Sequence, residues 1–119
     1  MLKECTSFRQ IFIACGRTDL RKGIDGLATL VSQHFHLDPF QKDVLFLFCG
    51  CRQDRFKGLV WEGDGFVLIY KRIEAGRLQW PRTQEDVAAI TSEELQTLLS
   101  GFAILQKSTI QDPKCTQVA

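Results

Sequence analysis

Two segments of the 119-residue sequence carry side chains whose types and spacing suit the binding of an anion. The first, Asp19-Leu-Arg-Lys-Gly-Ile-Asp-Gly26, sets Arg21 and Lys22 beside two glycines at what the downstream periodicity marks as the start of a helix. Helix N-termini attract phosphate through unsatisfied N–H groups, and Gly23 and Gly26 allow a ligand or a second backbone to come close. Cations there also oppose the helix dipole, and a glycine inside a helix costs about 1 kcal/mol against alanine. Breaks in local rules of this kind concentrate at functional sites. The quieter account pairs Asp25 with Arg21 or Lys22 across one helical turn and gives the glycines to close packing.

The second segment, residues 54–72, mixes cations with aromatics around Gly63-Asp-Gly65, whose glycines supply the positive φ of a tight hairpin turn. With Gly63 and Asp64 as the two turn residues, Trp61 faces Phe66, Leu59 faces Leu68, Lys57 faces Tyr70 and Arg55 faces Arg72, all on one side of the hairpin. That side is apolar near the turn and cationic at its far end. Two facing arginines repel unless an anion or a carboxylate lies between them; a phosphate backbone is one candidate, and Asp54 or Glu74 is another. Cations around a ring form a platform for nucleic acid, neutralising phosphates while the ring stacks on bases. Equally, Lys57, Lys71 and Arg72 can blunt strand edges against aggregation while Trp61 and Tyr70 fill core.

Enzyme signatures are missing from the sequence: it holds no phosphate-binding G-x-x-x-x-G-K-S/T, no dinucleotide fingerprint, no H-E-x-x-H and no G-x-S-x-G. A Mg²⁺-dependent nuclease would need at least two of Asp19, Asp25, Asp54 and Asp64 to converge. Each of these has an ordinary role as cap, salt bridge, edge charge or turn residue. Cys49, Cys51, His34 and His36 have the wrong spacing for structural zinc. No cofactor is expected.

The elements that must position these side chains follow from periodicity. Ile11-Phe-Ile-Ala14 is a short strand. Thr18 or Asp19 offers an N-cap oxygen to a helix with Leu20, Ile24, Leu27, Ala28, Val31 and Phe35 on one face, ending near residues 34–37 before Asp38-Pro39. Val44-Leu-Phe-Leu-Phe48 is apolar on both faces and suits the middle of a sheet covered on two sides. Phe56 to Glu62 and Phe66 to Arg72 form the hairpin. A turn at Glu74-Ala-Gly76 leads to a shorter strand, Arg77-Leu-Gln-Trp80, ended by Pro81. Residues 82–90 read as a loop. Thr91-Ser-Glu-Glu94 is a capping box opening a helix with Leu95, Leu98, Leu99 and Phe102 on one stripe. The expected fold is α+β: a mostly antiparallel sheet of four to five strands with hairpins, packed with two helices. Residues 1–105 form one domain and residues 106–119 a loose polar tail.

Composition agrees with a packed domain, at 45% hydrophobic and 24% charged residues with a net charge of +1. The charge is uneven along the chain. Lys and Arg outnumber Asp and Glu by 7 to 4 in residues 50–82, whereas residues 83–119 carry 2 against 5. Such asymmetry marks a nucleic-acid face or a solvated surface. No apolar run reaches membrane-spanning length and no signal peptide opens the chain, so the expected address is the cytoplasm, with the five cysteines as reduced thiols.

Several motifs in one order add a resemblance. Thr18-Asp-Leu-Arg-Lys-Gly-Ile-Asp-Gly-Leu27, Leu37-Asp-Pro-Phe40, Leu45-Phe-Leu-Phe48, Asp54-Arg-Phe-Lys57, Trp61-Glu-Gly-Asp-Gly-Phe66, Tyr70-Lys-Arg72 and Gly76-Arg-Leu-Gln-Trp-Pro81 resemble the TnpB-type accessory proteins of the insertion sequence 66 family. These are products of the second open reading frame of bacterial transposable elements. The likeness spans residues 10 to 102 and is not recognisable after Gly101; Cys49-Gly-Cys-Arg-Gln53 departs from it, standing where relatives are richer in arginine. The resemblance implies a non-catalytic part in DNA transposition beside a separate transposase, with the DNA of the element ends and the transposase as partners and no membrane. It assigns Asp19, Arg21, Lys22, Gly23, Asp25 and Gly26 to a first motif, and Arg55, Lys57, Trp61, Gly63, Asp64, Gly65, Tyr70, Lys71 and Arg72 to a second. The expected DNA surface comprises Arg21, Lys22, Arg52, Arg55, Lys57, Tyr70, Lys71, Arg72 and Arg77.

Overall fold

The computed structural model describes residues 8–83 and 85–104. The expected tail at 106–119 lies outside the described residues. Five strands, β1 (Gln10–Ala14), β2 (Val44–Cys49), β3 (Arg55–Trp61), β4 (Phe66–Arg72) and β5 (Val87–Ile90), form one sheet in the order β4-β3-β2-β1-β5. Helix α1 (Ile24–Thr29) runs on into a π-helical stretch, Leu30–His34, and helix α2 is Ser92–Leu99. The α+β expectation holds. β1 and β2 run parallel because the chain crosses over through α1 between them; the other pairings between these five strands are antiparallel.

β2 is central and buried at every position, which its apolar run requires. Alternation along it feeds two cores. Val44, Phe46 and Phe48 join Leu59 of β3 and Leu27 and Val31 of the helical segment on one face. Leu45, Leu47 and Cys49 join Ile11, Ile13, Phe56, Trp80 and the α2 residues Leu95 and Leu98 on the other. The sheet is therefore covered on both sides, with α1 over one end of the β3–β4 hairpin.

Three expectations are corrected. Residues 77–80 form no strand. Their side chains alternate between exposed and buried because the segment lies across the α2 face of the sheet, with Leu78 and Trp80 inserted in the core. Its backbone makes single contacts, Leu78 N–H to the Gln53 carbonyl at 2.7 Å and Trp80 N–H to Gln53 Oε1 at 2.7 Å. The last strand instead lies inside the expected loop: Val87–Ile90 pairs antiparallel with β1. Its two alanines carry little β-propensity, so the pairing is a tertiary effect. Third, the first helix opens at Ile24 with Gly23 at its N-cap and no side-chain cap. Asp19 closes a turn instead: its carbonyl accepts from Lys22 N–H at 3.1 Å and its Oδ1 from Arg21 N–H at 3.0 Å. Arg21 and Lys22 thus precede the helix, and Asp19 offsets the charge of Arg21.

α2 starts as its sequence dictates. Thr91 Oγ1 accepts from Glu94 N–H at 3.0 Å and Glu94 Oε1 accepts from Thr91 N–H at 2.9 Å. Gly101, at φ +92°, ends it: Gly101 N–H reaches the Leu98 carbonyl at 2.9 Å and Phe102 N–H the Thr97 carbonyl at 3.1 Å, a Schellman closure. That turn carries Phe102 off the apolar stripe and leaves it exposed, against expectation. Thr91→Ala will remove the reciprocal cap and destabilise the domain by about 1 kcal/mol. In a domain of this size that lowers the melting temperature by roughly 4–8 °C, readable by circular dichroism. Thr91→Ser will restore most of it, and an unchanged midpoint in the alanine variant would contradict the role given to the box.

Candidate nucleic-acid interface

The hairpin register is the one the turn chemistry specifies. Glu62 N–H bonds the Gly65 carbonyl at 2.9 Å, and Gly63 takes φ +95° at the first central position, as a type II′ turn requires. Trp61 pairs with Phe66, Leu59 with Leu68, Lys57 with Tyr70 and Arg55 with Arg72. Because side chains alternate along a strand, these four pairs share the face that α1 covers, where Leu59, Phe66 and Leu68 pack with the helix.

At the far end of that face the cations gather. Lys57 Nζ stands 6.0 Å from the Tyr70 ring centroid and donates to the Lys22 carbonyl at 3.0 Å. The second contact ties the hairpin to the turn before α1. A Cβ on Gly26 would come within 3.1 Å of Lys22 Cβ, so this glycine leaves room for the lysine stem over the first helical turn. Tyr70 is 52% exposed, which leaves its ring available for stacking. Arg55, with a side chain only 15% exposed, sits beneath the others and touches Tyr70.

The arginines are not bare. Arg21 holds Asp19 at 2.8 Å rather than Asp25, Arg55 holds Asp54 at 3.0 Å, Arg52 reaches the same carboxylate at 3.5 Å, and Arg72 holds Glu74 at 2.9 Å. The hydrogen bond from Arg21 lowers the Asp19 pKa to about 2, and that from Arg55 lowers the Asp54 pKa. Both carboxylates stay ionised throughout the neutral range. The facing pair Arg55 and Arg72 is therefore relieved by Asp54 and Glu74, one of the two arrangements the sequence left open.

Arg52 and Arg77 lie off the main face, lining a shallow polar depression with Asp54 and Glu74 where β3 begins and β4 ends. Lys71 stands on the opposite face of β4 from Tyr70. The structure thus brings together Lys22, Arg55, Lys57, Tyr70 and Arg72, sets Arg52 and Arg77 at their border, places Arg21 in the adjoining turn, and separates Lys71. Gly23, Asp25, Gly63, Asp64 and Gly65 belong to the two turns and the first helical turn.

Other side chains were not foreseen. Phe40, 57% exposed, makes ring contacts with Trp61 at 5.0 Å and Phe66 at 5.3 Å, forming an aromatic cluster at the hairpin tip. Arg82 is buried and donates to the Gly50 carbonyl. Cys15 and Cys49 are buried free thiols, and burial raises both pKa values, that of Cys49 to about 11. Cys51 Sγ accepts from Arg17 Nη1 at 3.8 Å. Among the described residues no three His, Cys, Asp or Glu side chains cluster to hold a metal ion, and no helix is long and apolar enough to cross a membrane.

With this geometry in place, comparison with known proteins decides the family. Residues 9–109 match the family described as IS66 Orf2 like protein. The chain belongs to that family. IS66 Orf2-like proteins are accessory proteins of IS66 elements, and the match runs past Gly101, so the segment beyond residue 102 retains family character that the motifs alone did not reveal. Two uncharacterized proteins of Sinorhizobium fredii are similar: y4hO is 37% identical over 94 residues, covering 78% of this chain and 80% of its own, and y4jC is 32% identical over 93 residues, covering 78% and 79%. No solved structure matches the chain.

Proposed function

We propose that this IS66 Orf2-like protein is a non-catalytic accessory of transposition in the cytoplasm that holds DNA of the element ends beside a separate transposase. The observation that supports this most is the register of β3 and β4, which lines up Arg55, Lys57, Tyr70 and Arg72 on one face while Lys57 ties Lys22 to them. An exposed ring flanked by ammonium and guanidinium groups suits phosphates on either side of a base or sugar. The test is a salt series of binding titrations on DNA carrying the element ends. Log affinity is expected to fall linearly with log salt, by roughly 0.9 for each phosphate neutralised. Absence of measurable binding at low salt would remove the proposal.

A second reading has its own support. The cluster of Phe40, Trp61 and Phe66 exposes aromatic area at the hairpin tip, and aromatic anchors of this kind dominate protein interfaces. Docking on the transposase without direct DNA contact would show as co-purification that survives nuclease treatment and high salt and is lost on Phe40→Ala.

A further inference from the structure

β4 is a sheet edge whose charged residues are confined to its end, at Lys71 and Arg72. It stands last in the strand order, none of its seven residues is buried, and its pairing with β3 is unbroken from Phe66 to Arg72. It contains no proline, glycine or bulge of the kind that blunts edges. In an antiparallel pair, residues alternate between bonded and non-bonded positions. Glu62 N–H bonds the Gly65 carbonyl and Ile73 N–H bonds the Asp54 carbonyl, so Val67, Ile69 and Lys71 spend their backbone groups on β3. The N–H and C=O groups of Phe66, Leu68, Tyr70 and Arg72 face outward.

From this pattern we infer that β4 pairs antiparallel with β4 of a second copy of this chain about a two-fold axis at Ile69. In that register Leu68 lies opposite Tyr70 of the second copy, and Phe66 opposite Arg72. All four outward residues fall at bonded positions, giving about eight backbone hydrogen bonds. Ile69 meets its own copy at a non-bonded position. Charge supports the choice of occupant: Lys71 faces Val67 and Arg72 faces Phe66, so no like charges stand opposite each other, whereas a parallel pairing would set each cation beside its twin. The guanidinium of Arg72 over the Phe66 ring adds a cation–π contact. The two sheets become one, and the two Tyr70 side chains come to diagonal positions roughly 7–8 Å apart on the same face. The dimer does not depend on the DNA reading, and its test contains no DNA.

The experiment is cysteine cross-linking on the full chain. Cα atoms facing each other at a non-bonded position are about 4.5 Å apart, within disulfide range. Ile69→Cys is expected to give a covalent dimer under mild oxidation well above the level of the parent chain. Val67→Cys, whose sulfur faces Lys71 of the other copy, is expected to stay at the parent level. Leu68→Pro removes an outward N–H without touching a bond to β3, so it is expected to abolish the dimer seen by sedimentation while circular dichroism stays native. A parent chain that sediments as a monomer, or equal cross-linking at positions 67 and 69, overturns the inference and leaves the edge to a strand from another protein.

Discussion

Replacing Trp80 with alanine will destabilise this domain by about 3–5 kcal/mol, the range for emptying an aromatic site in a packed core. Trp80 is 4% exposed, its ring lies 6.0 Å from that of Phe56, and its indole N–H donates to the Ala14 carbonyl at 2.8 Å. Its backbone N–H bonds the side chain of Gln53. Because residues 77–80 belong to no ladder, these contacts fix the path from β4 across the sheet to β5. Against a total stability of typically 5–15 kcal/mol, the loss is expected to lower the melting temperature by about 20 °C. Trp80→Phe keeps most of the volume and leaves the Ala14 carbonyl without its indole partner, so a smaller loss of about 1–3 kcal/mol is expected. Urea unfolding of the two variants separates the terms. An alanine variant within 1 kcal/mol of the parent would show that the crossing segment does not secure the fold.

The same tryptophan shows where sequence patterns mislead. Arg77-Leu-Gln-Trp80 alternates like a strand, but alternation reports only that one side is buried. A segment lying flat on a sheet face buries alternate residues as a ladder does. Val87–Ile90 shows the reverse: four residues with two alanines have little local signal, and what makes them a strand is the free edge of β1. By contrast, the hairpin register and the start of α2 follow from local sequence, with β3 one residue earlier than expected and Phe102 off the α2 stripe. Their determinants, the Gly63 turn and the Thr91–Glu94 box, act across three or four positions and need no distant partner.

The candidate interface divides in the same way. Lys57 beside Tyr70 and Arg55 beside Arg72 follow from a two-residue turn. The link from Lys57 to the Lys22 carbonyl spans 35 positions and depends on how α1 sits on the sheet. Helical periodicity could not locate the true N-cap, because Leu20 falls on the apolar face without being in the helix. Phe40 carried no signal as a partner of Trp61 and Phe66. It reaches them only because the chain enters β2 beside the hairpin tip, where Lys42 bridges to Trp61.

The pairing of arginines with carboxylates sharpens the DNA prediction. Lys22→Ala, Lys57→Ala and Arg72→Ala combined remove three cations from one face. At 0.1 M salt each phosphate contact contributes about eightfold relative to 1 M, so the triple variant is expected to bind DNA several hundredfold more weakly, with a salt slope reduced by about 2.7. Its melting temperature should fall by only a few degrees, since Lys22 and Arg72 are exposed, exposed ion pairs such as Arg72–Glu74 contribute little, and Lys57 gives up one hydrogen bond worth about 1 kcal/mol. Asp54 works in the opposite direction. Its carboxylate is shared by Arg52 and Arg55 and must yield to a phosphate that takes either. Asp54→Asn is therefore expected to tighten binding, by up to about eightfold at 0.1 M salt. Acid cannot substitute for that mutation at moderate pH. The pKa values of Asp19 and Asp54 are lowered by their arginines, so the ion pairs are intact above the unfolded carboxyl value near 3.9. They are lost only as pH falls through the depressed folded values, about 2 for Asp19. The gain from Asp54→Asn should accordingly be constant between pH 5 and 8 in fluorescence-anisotropy titrations at fixed salt. A triple variant that binds within threefold of the parent would place the DNA elsewhere on the molecule. Weaker binding by Asp54→Asn would mean that the carboxylate orients the arginines for phosphate rather than competing with it.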